Sequence, residues 1–217
     1  MNPLKSVNGT IILGFVTSVA IMLVVGGAGL NVWSLVVWLH VFFGIIWIGL
    51  LYYFNFVQVP AVGAALADEG RPGPAAINKK DGTYRVYHTD EVGPGPAAIN
   101  KYVAPRALWW FRWGALLTWL SGASALEVMG IGLKDAFTLS GDGQIIGIGA
   151  WLGTIMLFNV WVLIWPNQKK ILGMVEASAD EIAKSKMVAL MASRTNTFLS
   201  IPMIMCMVGQ GHGGLPF

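Results

Sequence analysis

The sequence predicts an all-α fold, an integral membrane helical bundle of about five transmembrane helices, and three observations predict it. Hydrophobic residues make up 55% of the chain and charged residues only 12%, and the mean hydropathy is +0.64, outside the range of water-soluble domains. Apolar runs recur along the whole chain at the roughly 20-residue length that a helix rising about 1.5 Å per residue needs to cross a bilayer. Lysines and arginines gather in alternate connecting segments, as they do where cationic segments stay on the cytoplasmic side.

The first run, residues 9–30, follows Lys5 and ends in the small residues VVGGAGL. That pattern also suits a signal peptide cut near Ala28; a retained span is the expectation. The second run, 33–58, includes VVWLHVFFGIIWIGLLYYFNF, an apolar stretch that nevertheless carries His40. A long inner loop is expected over 60–105, with PGPAAINK at 72–79 and again at 94–101. Two copies are too few to stack as a solenoid, so the pair reads as a local duplication whose Pro and Gly make turns and whose AAIN starts a short helix. Between the copies, DGTYRVYHTDEV alternates as a short hairpin strand would, and it carries His88, Asp90 and Glu91 with no second ligand cluster. A connection of this length points to a function or a covering partner.

The third run, 107–130, opens on Trp109, Trp110 and Trp113, and the fourth, 143–165, is expected to end at Pro166. Residues 166–186 read as an amphipathic connector at the inner surface, with Asp180 and Glu181 placed ahead of Lys184 and Lys186. The fifth run is 187–209. With the N-terminus inside, eleven Lys and Arg fall on the inner side against Lys134 alone outside, giving an N-in, C-out arrangement. Trp33 and Trp38 at the outer end of the second span, Tyr52 and Tyr53 toward its inner end, and Trp165 at the inner end of the fourth agree with that frame, since amphipathic rings favour the interface.

Several classes are excluded. A single cysteine, Cys206, rules out an internal disulfide, and no C-x-x-C-H is present to attach a c-type haem. A net charge of +3 gives no nucleic-acid surface. The partner that the composition does demand is the lipid bilayer.

Polar side chains in hydrocarbon are costly, by about 2.5–3.5 kcal/mol for Arg, Lys or Asp, so each needs a reason. Topology sorts them into two layers. The outer layer holds His40, about 10 Å below Trp33 by the helical rise, with Glu127 and, just past the fifth span, His212. Imidazole is a good ligand for haem iron, and Gly44, one turn from His40, leaves room for a flat macrocycle. His40 and His212 are therefore candidate ligands for a b-type haem, against the plainer reading that His40 bonds a neighbouring helix. The inner layer holds Asn55, Arg112, Asn159, Arg194, Asn196 and Thr197. No Asp or Glu lies at that depth, so Arg112, Asn159, Arg194 and Asn196 are candidates for binding a substrate or an anion, whether loop carboxylate, haem propionate, lipid phosphate or anionic substrate. The plainer alternatives are interhelical hydrogen bonds and, for Arg112, snorkelling to the interface. Gly26, Gly27 and Gly29 in the first span, and Gly147, Gly149 and Gly153 in the fourth, permit close helix contact. Met203, Met205 and Met207 alternate, which on a helix points them to different faces, so they read as packing residues.

Four segments, WLHVFFGIIWIG, WFRWGALLTWLSG, GTIMLFNVWVLIWPNQKK and RTNTFLSIPMIMCMVGQGH, appear in the order in which similar segments occur in the membrane-bound urate hydroxylase family, known through its urate oxidase N-terminal domain. The chain resembles a stand-alone member without the C-terminal cytochrome c domain that accepts electrons in larger members. The resemblance implies a bacterial inner-membrane protein and singles out His40, Asn159, Asn167, Gln168, Arg194, Asn196 and His212 as positions matching the family pattern. One departure is Thr195, which stands where the pattern leads us to expect a histidine.

Two functional expectations follow. The first is a redox module, haem-associated, that oxidises a small anion such as urate and passes electrons to a separate cytochrome c. The second is a non-catalytic accessory subunit of a larger respiratory or photosynthetic membrane complex. A transporter is disfavoured because the sequence shows neither an inverted repeat nor paired broken helices.

Overall fold

The computed structural model describes residues 2–26, 29, 31–69, 95–212, 214 and 215. These residues are helical almost throughout and include no β-strand. In hydrocarbon every backbone N–H and C=O must be satisfied within its own segment, and a helix does this. Two compact units divide the chain, Met1–Leu35 and Val36–Phe217. The first holds a 3-10 turn, Pro3–Lys5, capped by the Asn2 side chain, then α1 (Val7–Gly26) and the first residues of α2 (Val32–Tyr53). The second holds the rest of α2 and α3 (Val59–Asp68), α4 (Ala104–Val128), α5 (Gly132–Thr138), α6 (Gln144–Phe158), α7 (Trp165–Ile171) and α8 (Ala179–Gly211).

Three of the connections between these helices are wide turns placed ahead of prolines. Phe54–Gln58, Ile99–Val103 and Asn159–Ile164 are π-helical. Each closes with a bond to the carbonyl five residues back, from Val59 to Phe54, from Ala104 to Ile99 and from Trp165 to Val160. The next residue in each case is proline: Pro60, Pro105 and Pro166. In an α-helix a proline ring collides with the carbonyl four residues back and offers no N–H. Widening the preceding turn relieves that conflict, so the helix continues. Pro166 therefore does not end its helix; a continuous helix runs Gly141–Ile171, and the second runs Val32–Ala67, past the apolar run's end at 58.

By length and composition, three helices are able to cross a membrane, Val7–Gly26, Val32–Ala67 and Gly141–Ile171, or up to four if Ile99–Val128 with Gly132–Thr138, bent by 107°, counts as one. The sequence count of about five adds α8, whose RTNT run, residues 194–197, breaks its apolar character. The bend between α4 and α5 is made by Gly130 and Gly132, at φ of +81° and +80°, a region open to glycine without steric cost. Glu127, expected in the outer polar layer, accepts from Leu133 N–H at 2.8 Å and so caps α5.

The hairpin expected around His88, Asp90 and Glu91, and the first copy of PGPAAINK, lie outside the described residues. In the second copy Gly95 and Pro96 form a turn, and Ala97 and Ala98 are helical and lead without a break into the π-turn before α4.

The main core joins α2, the first and third π-turns, α4, α6 and α8 through Trp47, Leu51, Phe54, Leu108, Phe111, Met156, Val160, Ala192 and Met203. Phe54 and Phe111 meet edge to face, 5.3 Å between centroids, the arrangement that ring quadrupoles favour. A smaller cluster of Leu126, Ala136 and Ile146 ties α5 to α4 and α6.

The connector of residues 166–186 is not a separate helix: α7 ends at Ile171 and Asp180–Lys186 forms the first turns of α8. Ser178 and Glu181 close a reciprocal capping box there, Ser178 N–H donating to Glu181 Oε2 at 2.9 Å and Glu181 N–H to Ser178 Oγ at 3.3 Å. The Ser178 backbone N–H first, then its hydroxyl and Lys170, 3.5 Å away, hold the exposed Glu181 carboxyl below the usual carboxylate range. A carboxyl depressed in the folded state adds stability above its unfolded value, about 4.3, and loses it as pH falls through the folded value. In an acid titration the melting temperature of the wild type is expected to fall more steeply than that of Glu181→Gln across that window. Added salt should narrow the gap, because the Lys170 part is screened.

Candidate functional site

The helices leave a partly open cavity of roughly 270 Å³ to whose lining each of the three π-turns contributes. Its walls include Phe54 and Gln58 from the first π-turn, Asn100 from the second and Ile164 from the third, with Phe111, Gln168 and Ser193 also on the lining. Most of the lining is apolar, and the polar groups converge from four segments. Gln58 Oε1 is enclosed with no hydrogen-bond donor, an unmet acceptor of the kind that costs about 1–3 kcal/mol unless a ligand or water supplies the proton. A wider, open depression of roughly 490 Å³ lies between Gly141–Ile145 and Gly209–Gly214. Of its seven lining residues three are glycine and only Ile145 is a large apolar side chain, so the smaller, mostly apolar cavity is the better candidate site for a small molecule.

Behind the cavity, polar side chains stitch the helices together. Ser193, on the cavity wall, accepts from Asn55 Nδ2 at 2.8 Å, and the same amide donates to Leu51 O at 2.9 Å. Tyr52 and Ser200 share a hydrogen bond of 3.0 Å, and Ser200 Oγ donates to Thr197 O at 2.7 Å. Deeper still, Asn159 Nδ2 donates to Asn196 Oδ1 at 2.8 Å, and Asn196 Nδ2 donates to Met156 O at 3.0 Å. Asn159 opens the third π-turn, so this pair pins α8 to the step at which the helix changes pitch.

The expected inner layer thus divides. Asn159 and Asn196 come together, the latter fully buried, and Asn55 joins Ser193. Arg194 and Thr195 point to the exposed face of α8. Arg112 lies flat on Trp165, its guanidinium carbon 3.8 Å from the ring centroid. Gln168 lines the cavity, whereas Asn167 Nδ2 donates to Leu163 O at 2.8 Å. Gln58, Asn100 and Ser193 escaped the sequence reading because isolated uncharged polar residues bring neither a charge nor a motif. The usable signal was proline: each π-turn, and with it Gln58, Asn100 and Gln168, sits close to Pro60, Pro105 or Pro166.

In the outer layer His40 is half-buried on α2, its Nδ1 2.8 Å from Thr118 O. A carbonyl only accepts, so Nδ1 carries the proton and Nε2 keeps its lone pair in the neutral ring. The ring rests on Gly122: a Cβ there would come within 2.8 Å of His40 Cε1. Gly44 faces the Thr118 methyl, 3.8 Å from where its own Cβ would be, an ordinary van der Waals distance. His212, at the end of α8, is exposed, with Nδ1 3.0 Å from Val208 O, which again leaves Nε2 free as a ligand atom. Among the described residues no three His, Cys, Asp or Glu side chains gather as a metal-binding group.

A family model described as urate oxidase N-terminal matches residues 30–138 and 125–215. No match was found among curated proteins or among solved structures.

Proposed function

The chain belongs to the urate oxidase N-terminal family, and from that premise we propose a membrane redox module of the urate hydroxylase kind. It holds a small polar ring in the cavity beneath the π-turns and passes electrons taken from that ring to a separate cytochrome. The cavity carries the reading. At roughly 270 Å³ it is smaller than the sites of drug-sized ligands, about 300–1,000 Å³, and suits one compact heterocycle. Gln58, Asn100 and Gln168 each bring an amide with a donor and an acceptor, the two functions that the edge of a purine ring presents. The unmet Gln58 Oε1 is an acceptor for a ring N–H, and the exposed Lys186 on the lining adds positive charge for an anionic ring.

A b-type haem is the electron relay in this reading. His40 and His212 are the residues that would hold it, since hydrogen bonding at Nδ1 orients each ring and leaves Nε2 as the ligand atom. When bound, haem supplies one-electron carriage. The N-in, C-out arrangement inferred from the cation count puts these histidines toward the outer side, where a separate cytochrome is reached.

Purified protein should be titrated with urate while its melting temperature, its absorption spectrum and the reduction of added cytochrome c are followed. We expect stabilisation by urate that is lost in Gln58→Ala and Gln168→Ala, a Soret band lost in His40→Ala, and urate-dependent reduction of the cytochrome. A colourless folded protein that neither responds to urate nor reduces cytochrome overturns the reading in favour of an accessory subunit.

A further inference from the structure

Away from the cavity, two cations share one indole. Arg112 stacks on Trp165 at 3.8 Å, and Lys169, one turn beyond Trp165, approaches the same ring at 6.0 Å. An indole face offsets part of the cost of desolvating a cation, but it accepts no in-plane hydrogen bond. Arg112 Nε and Nη1 are enclosed without an acceptor, and so is the Nε1–H of Trp161, which packs edge-on against Trp113 at 5.5 Å. Among the described residues the only ion pair joins Lys170 to Glu181, so none of their carboxylates reaches Arg112 or Lys169. Two like charges beside several unmet donors are costly in a low dielectric unless an anion brings the acceptors.

The surroundings say which kind of anion. Trp109, Trp110 and Trp113 are exposed on α4 around Arg112, and with Trp161 and Trp165 they form a belt of indoles, which marks the level of lipid headgroups. At that level the abundant oxyanion is phosphate. The guanidinium fork matches two phosphate oxygens at once, while an ammonium such as Lys169 adds a point charge. We propose that Arg112, Lys169 and Trp165 form a binding site for a phosphate oxyanion, carried by the headgroup of an anionic phospholipid between α4 and α7.

The test uses the full chain in nanodiscs of phosphatidylcholine, with and without phosphatidylglycerol, and reads tryptophan fluorescence and melting temperature. Phosphatidylglycerol is expected to raise the melting temperature of the wild type in a saturable way. Arg112→Gln should weaken the apparent affinity about tenfold or more, the ratio expected when charge-assisted hydrogen bonds are lost. Arg112→Lys should fall between, since it keeps the charge and loses the fork. Inorganic phosphate added to phosphatidylcholine discs separates the sources: if it saturates the response and blocks phosphatidylglycerol, the oxyanion is free phosphate and the lipid assignment falls. An unchanged response in Arg112→Gln, or no response to either probe, overturns the site. If Arg112→Gln does not fold, Lys169→Gln serves in its place, and its keeping the full response overturns the proposal equally.

Discussion

Asn196→Leu is expected to destabilise the protein by about 2–4 kcal/mol. Asn196 is fully buried and makes two bonds, taking the Asn159 amide at 2.8 Å and giving its own to Met156 O at 3.0 Å. Leucine removes both bonds and leaves the Asn159 donor enclosed, a cost of about 1–3 kcal/mol. Its branched end also enters a closely packed junction, adding about 1–3 kcal/mol. Bonds between membrane helices average only about 0.6 kcal/mol, which draws the sum toward its lower half. Adding Asn159→Ala should recover part of the loss, because it removes the stranded amide and opens volume for the leucine. Thr195→Leu, one residue away on the exposed face, is the control and should stay within about 0.5 kcal/mol. Melting curves of the purified variants in one detergent check the series.

Gly147→Ala should cost about 3 kcal/mol, although glycine to alanine inside a helix ordinarily gains up to about 1 kcal/mol. The sign reverses because a Cβ at Gly147 would lie on the carbonyl oxygen of Ala136, with Leu139 Cδ2 only 2.9 Å away. The obstacle is backbone, so no rotamer change relieves it and α5 must lift from α6. Trp151, whose Nε1–H donates to Phe137 O at 3.0 Å, would lose that bond, and its fluorescence should report the displacement. Gly49→Ala is the comparison: nothing lies within 4 Å of its Cβ position on α2, and it should be neutral or slightly stabilising. A Gly147→Ala protein as stable as wild type would remove the close α5–α6 contact from this account.

Much of the fold was legible from composition. Each apolar run falls on a helix, although the helices holding 33–58 and 143–165 run on to Ala67 and Ile171 and that holding 187–209 begins already at Ala179, and the prediction that Gly147, Gly149 and Gly153 permit close contact agrees with what lies over them: Ala136 O, the Met207 methyl with Cys206 Cβ, and Met203 Sδ. Pro166 was misread as a stop, since its usual meaning is conditional on the turn before it, and a π-turn is a property of backbone geometry that hydropathy does not encode. Asn159 and Asn196 were singled out because polar residues at that depth need partners, but a sequence alone does not reveal that each would be the other's. Arg194 looked the harder of the two arginines to explain, yet it lies on the exposed face, and Arg112 is the one with enclosed, unmet N–H groups.

The sequence by itself determined that this is a helical chain of the urate oxidase N-terminal family with several helices long and apolar enough to cross a bilayer, because bilayer thickness and the cost of unpaired backbone groups leave few ways to fold so apolar a chain. Only the tertiary structure decided that three proline-linked π-turns converge on one cavity and that Asn196 rather than Arg194 faces inward. Those outcomes depend on the angular offset of each side chain about its helix axis. A widened turn changes that offset for every residue after it, so it is set by packing between distant segments and not by the order of residues within one.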